Sequence, residues 1–241
     1  MLEFNMIVAA VLPAVVLIYY IYRRDTIKEP TGQLLKGFGL GALSGVLASV
    51  LEALLGIIGL ADFEPQSFLS AVNTAFIGAA LPEELAKLAM LFVLIHRNPW
   101  FDEWMDGVVY AVSIGMGFAA IENITYIFGY ADQWQSIALM RSITSVPAHF
   151  AFAVLMGFFF SLVRIGGRHT QRDRLLVLGA PILAHGTYDA LLFAADAVPE
   201  WMSLVFTILF IVLLVKLVRI CRSYIRRLRA FDSIPKPISN P

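Results

Sequence analysis

Long apolar runs separated by short polar connections dominate this chain. A bilayer-spanning helix needs roughly 17–25 mostly apolar residues. Seven segments meet that length: approximately Met6–Tyr22, Leu34–Leu60, Phe68–Ile95, Gly107–Tyr130, Ser142–Val163, Leu175–Ala195 and Trp201–Ile220. The pattern predicts an all-α, polytopic transmembrane bundle of about seven or eight helices. Residues 1–230 read as a single integral membrane domain, and 231–241, ending "IPKPISNP", as a Pro-rich tail without fixed structure. The opening "MLEFN" carries no basic residue and the arginines follow the first apolar run, so that run reads as a span and not as a signal peptide.

Composition agrees: of 241 residues, 59% are hydrophobic and 15% charged, whereas a soluble domain carries about a quarter charged residues. The net charge is zero, so nothing suggests a nucleic-acid partner, and membrane lipids are the expected surroundings. The single cysteine, Cys221, excludes an internal disulfide and a cysteine-based zinc site. Charge distribution says more than the total. Arg23, Arg24, Lys28 and Lys36, then Arg97, then Arg164, Arg168, Arg172 and Arg174, then the basic run after the last span fall in alternate connections. The other connections hold Asp62, Glu64, Asp132, Asp196 and Glu200, with Arg141 their one basic residue. The positive-inside rule then predicts an outside N-terminus and a cytosolic C-terminus. On the second span, Gly37, Gly41 and Gly45 form a small-residue face for close helix approach, expected to pack within the bundle; such a face can also join two copies.

The polar residues inside these spans are few: Glu52, Asn73, Glu83, Glu84, Lys87, Glu122, Asn123, His149, His185 and Asp189. A charge at the bilayer centre costs roughly 2.5–3.5 kcal/mol on insertion scales, so such groups face the bundle interior or a wet cavity and pair there. A lone pair would be read as structural, but acids, bases and histidines on four separate spans point to chemistry. His185 and Asp189 are four residues apart on one helix face. Phe118, Glu122 and Tyr126 form a similar stripe, and Lys87 can reach either Glu83 or Glu84. Adjacent residues diverge by about 100°, so one glutamate is expected in a site while the other holds Lys87. Pro82 is expected to kink the third span. At about 1.5 Å per residue, Glu122, His149, His185 and Asp189 all fall in the outer half of the membrane. Glu83 comes out a turn or two deeper, a mismatch that a tilted, kinked or late-starting helix would remove.

A carboxylate near histidines in a partly desolvated pocket can act as a general base toward water. A hydrogen-bond donor beside it can stabilise the oxyanion formed at a peptide carbonyl. Two histidines with carboxylates could instead hold zinc. There is no HExxH and no GxSxG, so hydrolysis by carboxylate-activated water is the economical reading.

Four motifs in order resemble a known family. "EELAK" matches EExxK; "FAAIEN", Phe118 to Asn123, matches FxxxEN; "HFAF" begins at His149; and "HGTYD", His185 to Asp189, matches HxxxD. On separate spans, from the second to the sixth, these look like the PrsW family of intramembrane proteases. That family is distantly similar to the CAAX-processing and bacteriocin-processing glutamate proteases. The resemblance implies a multi-pass endopeptidase of a bacterial or archaeal cell membrane. Its substrate would be a single-span membrane protein, an anti-sigma factor being the best-known type, cut on its outer side. By similarity Glu83 would be the general base, with Glu84 also needed or paired to Lys87. Glu122 would bind or activate water with His149 in support, and His185 with Asp189 would stabilise the oxyanion. Asn123 and Phe118 complete the supporting motif. No cofactor is expected, a divalent metal such as zinc being the alternative, held by Glu122, His149, His185 and Asp189. Where the CAAX-type motif has histidine, this chain has Glu122, so Glu83 and Glu122 are interchangeable on paper and are expected to share a proton. Glu52 matches no motif and reads as a helix contact.

Two other readings remain at this level. Buried Glu, His and Asp chains also serve proton- or ion-coupled transporters, although the chain shows no inverted repeat, which many transporters have. A noncatalytic scaffold would keep the same fold.

Overall fold

The computed structural model describes residues 1–61, 63, 67–167, 170–196 and 198–234, the side chain of Asp196 excepted. Most of the expected tail, as well as Asp62, Glu64, Gln66 and Arg168, lies outside the described residues. The described chain is helical: α1 (Leu2–Arg24), α2 (Thr31–Ile57), α3 (Phe68–Asn73), α4 (Leu81–Ile95), α5 (Asp106–Gly129), α6 (Trp134–Ile143), α7 (Ser145–Arg164), α8 (Gln171–Asp196) and α9 (Glu200–Asp232). Six helical stretches are long and apolar enough to cross a membrane: α1, α2, α5, α6 continuing into α7, α8 and α9. This is an integral, multi-pass membrane protein.

The third predicted span departs from a regular helix. It is assembled from α3, a π-helical segment Thr74–Ala80 and α4. Ser67 caps its start reciprocally with Ser70: each backbone N–H donates to the other's hydroxyl, at 2.9 and 3.2 Å. At the π segment's end, Leu81 N–H donates to the Phe76 carbonyl five residues back. The wider turn closes immediately before Pro82, which has no N–H to contribute. The expected disturbance at Pro82 is therefore a π segment ahead of the proline. Because a π turn carries an extra residue, it alters the depth and facing of Glu83 relative to straight-helix counting.

Two other boundaries moved. The helix that carries the last predicted span, Trp201–Ile220, continues beyond it to Asp232. Its end is fastened: the Trp104 and Met105 backbone amides donate to the Asp232 carboxylate at 2.7 and 3.0 Å. The segment before the fifth predicted span was read as a connection, yet it contains the short helix α6, which carries Arg141.

Helix α5 is the axis of the bundle, buried along nearly all its length and packed by α1, α2 and α7; α7 in turn packs on α8 and α9. Glycines allow the central approaches. A Cβ on Gly41 would lie 2.0 Å from the Ile114 carbonyl oxygen, and one on Gly117 would lie 2.0 Å from that of Phe38. The small-residue face of α2 thus packs against α5 within this chain. Gly39, on the opposite side of α2, would meet nothing within 4 Å. Gly117→Ala is expected to destabilise the bundle by about 1–3 kcal/mol, as overpacking does. Gly39→Ala should stay within about 0.5 kcal/mol. Thermal unfolding of the two variants in detergent checks the contrast.

Candidate active site

The first two turns of α4 project Glu83, Glu84 and Lys87 into the interior, where the three are 7%, 0% and 3% exposed. Their spacing lets one ammonium serve both carboxylates. Lys87 Nζ lies 3.2 Å from Glu83 Oε2 and 2.7 Å from Glu84 Oε1. It also sits 3.2 Å from His149 Nδ1 on α7 and 3.8 Å from the centre of the Phe118 ring on α5, a cation–π contact. Both glutamates therefore hold Lys87, where the sequence had suggested a division of labour.

Two histidines extend this centre in different directions. His149 Nε2 is 2.8 Å from Glu122 Oε2 on α5. An ammonium can only donate, so His149 Nδ1 is the acceptor toward Lys87 and its proton sits on Nε2, which donates to Glu122. His185 on α8 has Glu84 Oε1 2.9 Å from Nδ1 and Asp189 Oδ2 3.1 Å from Nε2, with Glu83 Oε2 3.8 Å away. Carboxylates thus flank the ring on both sides. Phe152 stacks on His185 with centroids 4.6 Å apart and fixes its plane.

Arg141, missed as a site residue, completes the arrangement. Its Nη2 lies 2.7 Å from Glu122 Oε2 and 2.9 Å from Ser145 Oγ, its Nε donates to Asn123 Oδ1 at 2.6 Å, and its guanidinium lies 4.0 Å from the centre of the Tyr126 ring. The one available signal was its position as the lone basic residue among acidic connections. Asn123 belongs to this outer layer: it holds Arg141 and donates to the Ala10 carbonyl at 3.3 Å, away from the histidines. Phe118 is a wall and a cation–π partner.

A cavity of about 320 Å³ opens between α2, the π segment and α5. Glu83, Glu122, Glu52, Phe118 and Tyr126 line it, whereas Glu84 does not. Glu52, expected as a helix contact, is thus on the cavity wall. Glu122 Oε2 already takes bonds from His149 and Arg141. Glu83 has one hydrogen bond, from Lys87, and keeps lone pairs for a molecule in the cavity.

The site's compact donor set for a metal consists of Glu83, Glu84, His149 and His185, whose ligand atoms all lie within 4.8 Å of one another. It shares only the two histidines with the set expected from sequence, because Glu122 is turned to Arg141 and Asp189 backs His185. Two imidazoles and two carboxylates suit zinc chemically, and Glu84 Oε2 is buried without a hydrogen-bond partner. The residues therefore fit such an ion. The Lys87 ammonium touches three of the four donors, so it and an ion would be alternative occupants of the same centre.

Arg141→Gln is expected to release Glu122 and to weaken the fold by about 1.5–3 kcal/mol, the range of a charge-assisted hydrogen bond. Thermal unfolding measures the loss. Nitrogen-15 NMR of His149 should show the proton on Nε2 in the wild type, and a proton on Nδ1 would contradict the arrangement.

Comparison with known proteins follows the same residues. The profile described as PrsW family intramembrane metalloprotease matches residues 29–217. A protein named Protease PrsW from Clostridioides difficile (strain 630) is 32% identical over 195 residues, covering 79% of this chain and 80% of that protein. Others with that name from Geobacillus kaustophilus (strain HTA426) and Bacillus subtilis (strain 168) are 31% and 30% identical over 202 and 200 residues. They cover 83% and 82% of this chain and 85% and 86% of their own lengths. No solved structure matches significantly. With its four motifs gathered around one buried centre, the chain belongs to the PrsW family of intramembrane proteases.

Proposed function

We propose that this protein is an endopeptidase that cleaves a single-span membrane protein, with Glu83 as the general base that activates water. The observation that carries this reading is the difference between the two adjacent glutamates. Glu83 lines the cavity and retains hydrogen-bonding capacity, whereas Glu84 is sealed against Lys87 and His185.

In this reading a water in the cavity lies between Glu83 and Glu122. Glu83 takes its proton as the oxygen attacks the peptide carbonyl carbon. Glu122, held by His149 and Arg141, orients that water. His185, whose Nε2 lies 3.8 Å from Glu83 Oε2 beyond the bonded Lys87, supplies positive charge to the developing oxyanion, while Asp189 and Glu84 flank its ring on both sides. Glu83 then returns the proton to the leaving amine as the C–N bond breaks. Phe118 and Tyr126 wall the cavity and limit it to an unwound stretch of substrate. The alternating basic connections support an outside N-terminus and a cytosolic C-terminus, which directs the cut to the outer half. An anti-sigma factor is the substrate type that the family resemblance suggests.

The family's description as metalloproteases, with the unpartnered Glu84 Oε2, favours a second reading. There a zinc-type ion is held by Glu83, Glu84, His149 and His185. Such an ion, when bound, polarises a carbonyl and lowers the pKa of a water.

Cleavage of single-span reporters by purified protein in liposomes separates these readings. Glu83→Gln should lower kcat/KM by at least about 100-fold, with the protein still folded and the wild type indifferent to a strong chelator. Loss of activity on chelation, with recovery on adding zinc, would move the assignment to the metal reading. Full activity of Glu83→Gln would remove Glu83 as the base.

A further inference from the structure

A second buried acidic cluster lies at the other end of the bundle. Asp25 and Glu29 sit in the connection between α1 and α2, and Asp106 opens α5, about 24 Å along that helix from Glu122. The three are 5%, 5% and 0% exposed. Each offers a carboxylate oxygen, and these oxygens all lie within 4.8 Å of one another. Nothing in the proposed hydrolysis uses them.

The cluster lacks the partners that buried acids need. Neither oxygen of Asp25 has a hydrogen-bond partner, and Asp106 Oδ1 has none. Asp106 Oδ2 accepts the Asp102 and Glu103 amides at 2.8 and 2.6 Å, and Glu29 accepts the Tyr110 hydroxyl. The nearby cation is spent elsewhere: Lys28 Nζ donates to the Tyr22 and Asp25 backbone carbonyls. Among the described residues no salt bridge reaches any of the three carboxylates. Burial pushes the Asp25 carboxyl up to about 7, with Glu29 and Glu103 adding to the rise. The Thr26 amide, which falls short of hydrogen-bond geometry, and Lys28 offset part of it. Burial also raises Glu29.

We propose that Asp25, Glu29 and Asp106 bind a hard divalent cation that ties the α1–α2 connection to the start of α5. An all-oxygen, all-carboxylate set selects such ions over zinc or copper. Oxygens within 4.8 Å of one another can share one such ion, and Ca²⁺, with its longer ligand distances and flexible geometry, is the less demanding occupant than Mg²⁺. The unpartnered Asp25 oxygens supply the opening for coordination. This site shares no residue with the donor set at Glu83, Glu84, His149 and His185, and its chemistry differs by having no imidazole.

Manganese(II) is a suitable probe, because it accepts oxygen ligands and its paramagnetic resonance reports both number bound and nitrogen coordination. Full-length protein in detergent would be compared with Asp25→Asn and with the double variant Glu84→Gln/His185→Ala. The expected result is one Mn²⁺ without nitrogen coupling, bound by wild type and by the double variant and weakened at least tenfold in Asp25→Asn. Ca²⁺ should raise the wild-type unfolding temperature and leave that of Asp25→Asn unchanged. Asp25→Asn removes an uncompensated charge, so it should unfold no lower than wild type in chelator. Equal Mn²⁺ binding by wild type and Asp25→Asn would overturn the proposal, as would a wild-type unfolding temperature indifferent to Ca²⁺; the three carboxyls would then share protons instead.

Discussion

One ammonium group organises the catalytic end of this protein. Lys87 stands within hydrogen-bond distance of Glu83, Glu84 and His149, over the face of Phe118. Two adjacent carboxylates buried without it would be an uncompensated charge, which costs several kcal/mol per ion in a protein interior. The spacing of the EExxK sequence is what permits the sharing, since a helix brings the third and fourth residues back over the first turn. His149 then transmits the arrangement. Its acceptor nitrogen is committed to Lys87, so its donor nitrogen is committed to Glu122.

A second positive charge, on Arg141, holds Glu122 on the cavity wall. Glu122 is bonded twice, Glu83 once, and Glu84 does not line the cavity. Three carboxylates of identical intrinsic chemistry are thereby placed in three different environments. The same logic distinguishes the two histidines. One lies between a cation and a carboxylate, the other between carboxylates.

Rigid packing keeps these distances. Helix α5 carries Phe118 and Glu122 and is held by close backbone approaches at Gly41 and Gly117. Helix α8 brings His185 against the π segment, where Gly186 accommodates Phe76. The third span is irregular where it presents the glutamates, as irregular helix in a membrane tends to be where it lines a site.

The amino-acid sequence by itself determined the membrane class, the approximate spans and which polar residues fall inside them. Apolar length and the cost of buried charge are local properties, readable without coordinates. It also placed Lys87 beside both glutamates, because helical spacing is local too. Tertiary structure decided which carboxylate meets the cavity, that Arg141 belongs to the site, and that Glu52 lines its wall, since each depends on how separate helices face one another. The π segment ahead of Pro82 escaped straight-helix counting for a related reason: a wider turn is chosen by packing against α8 and has no periodic signature. The cluster of Asp25, Glu29 and Asp106 was equally hidden, for Asp106 lies 77 residues from Glu29 and 81 from Asp25 in sequence and meets them only when the start of α5 packs against the α1–α2 connection.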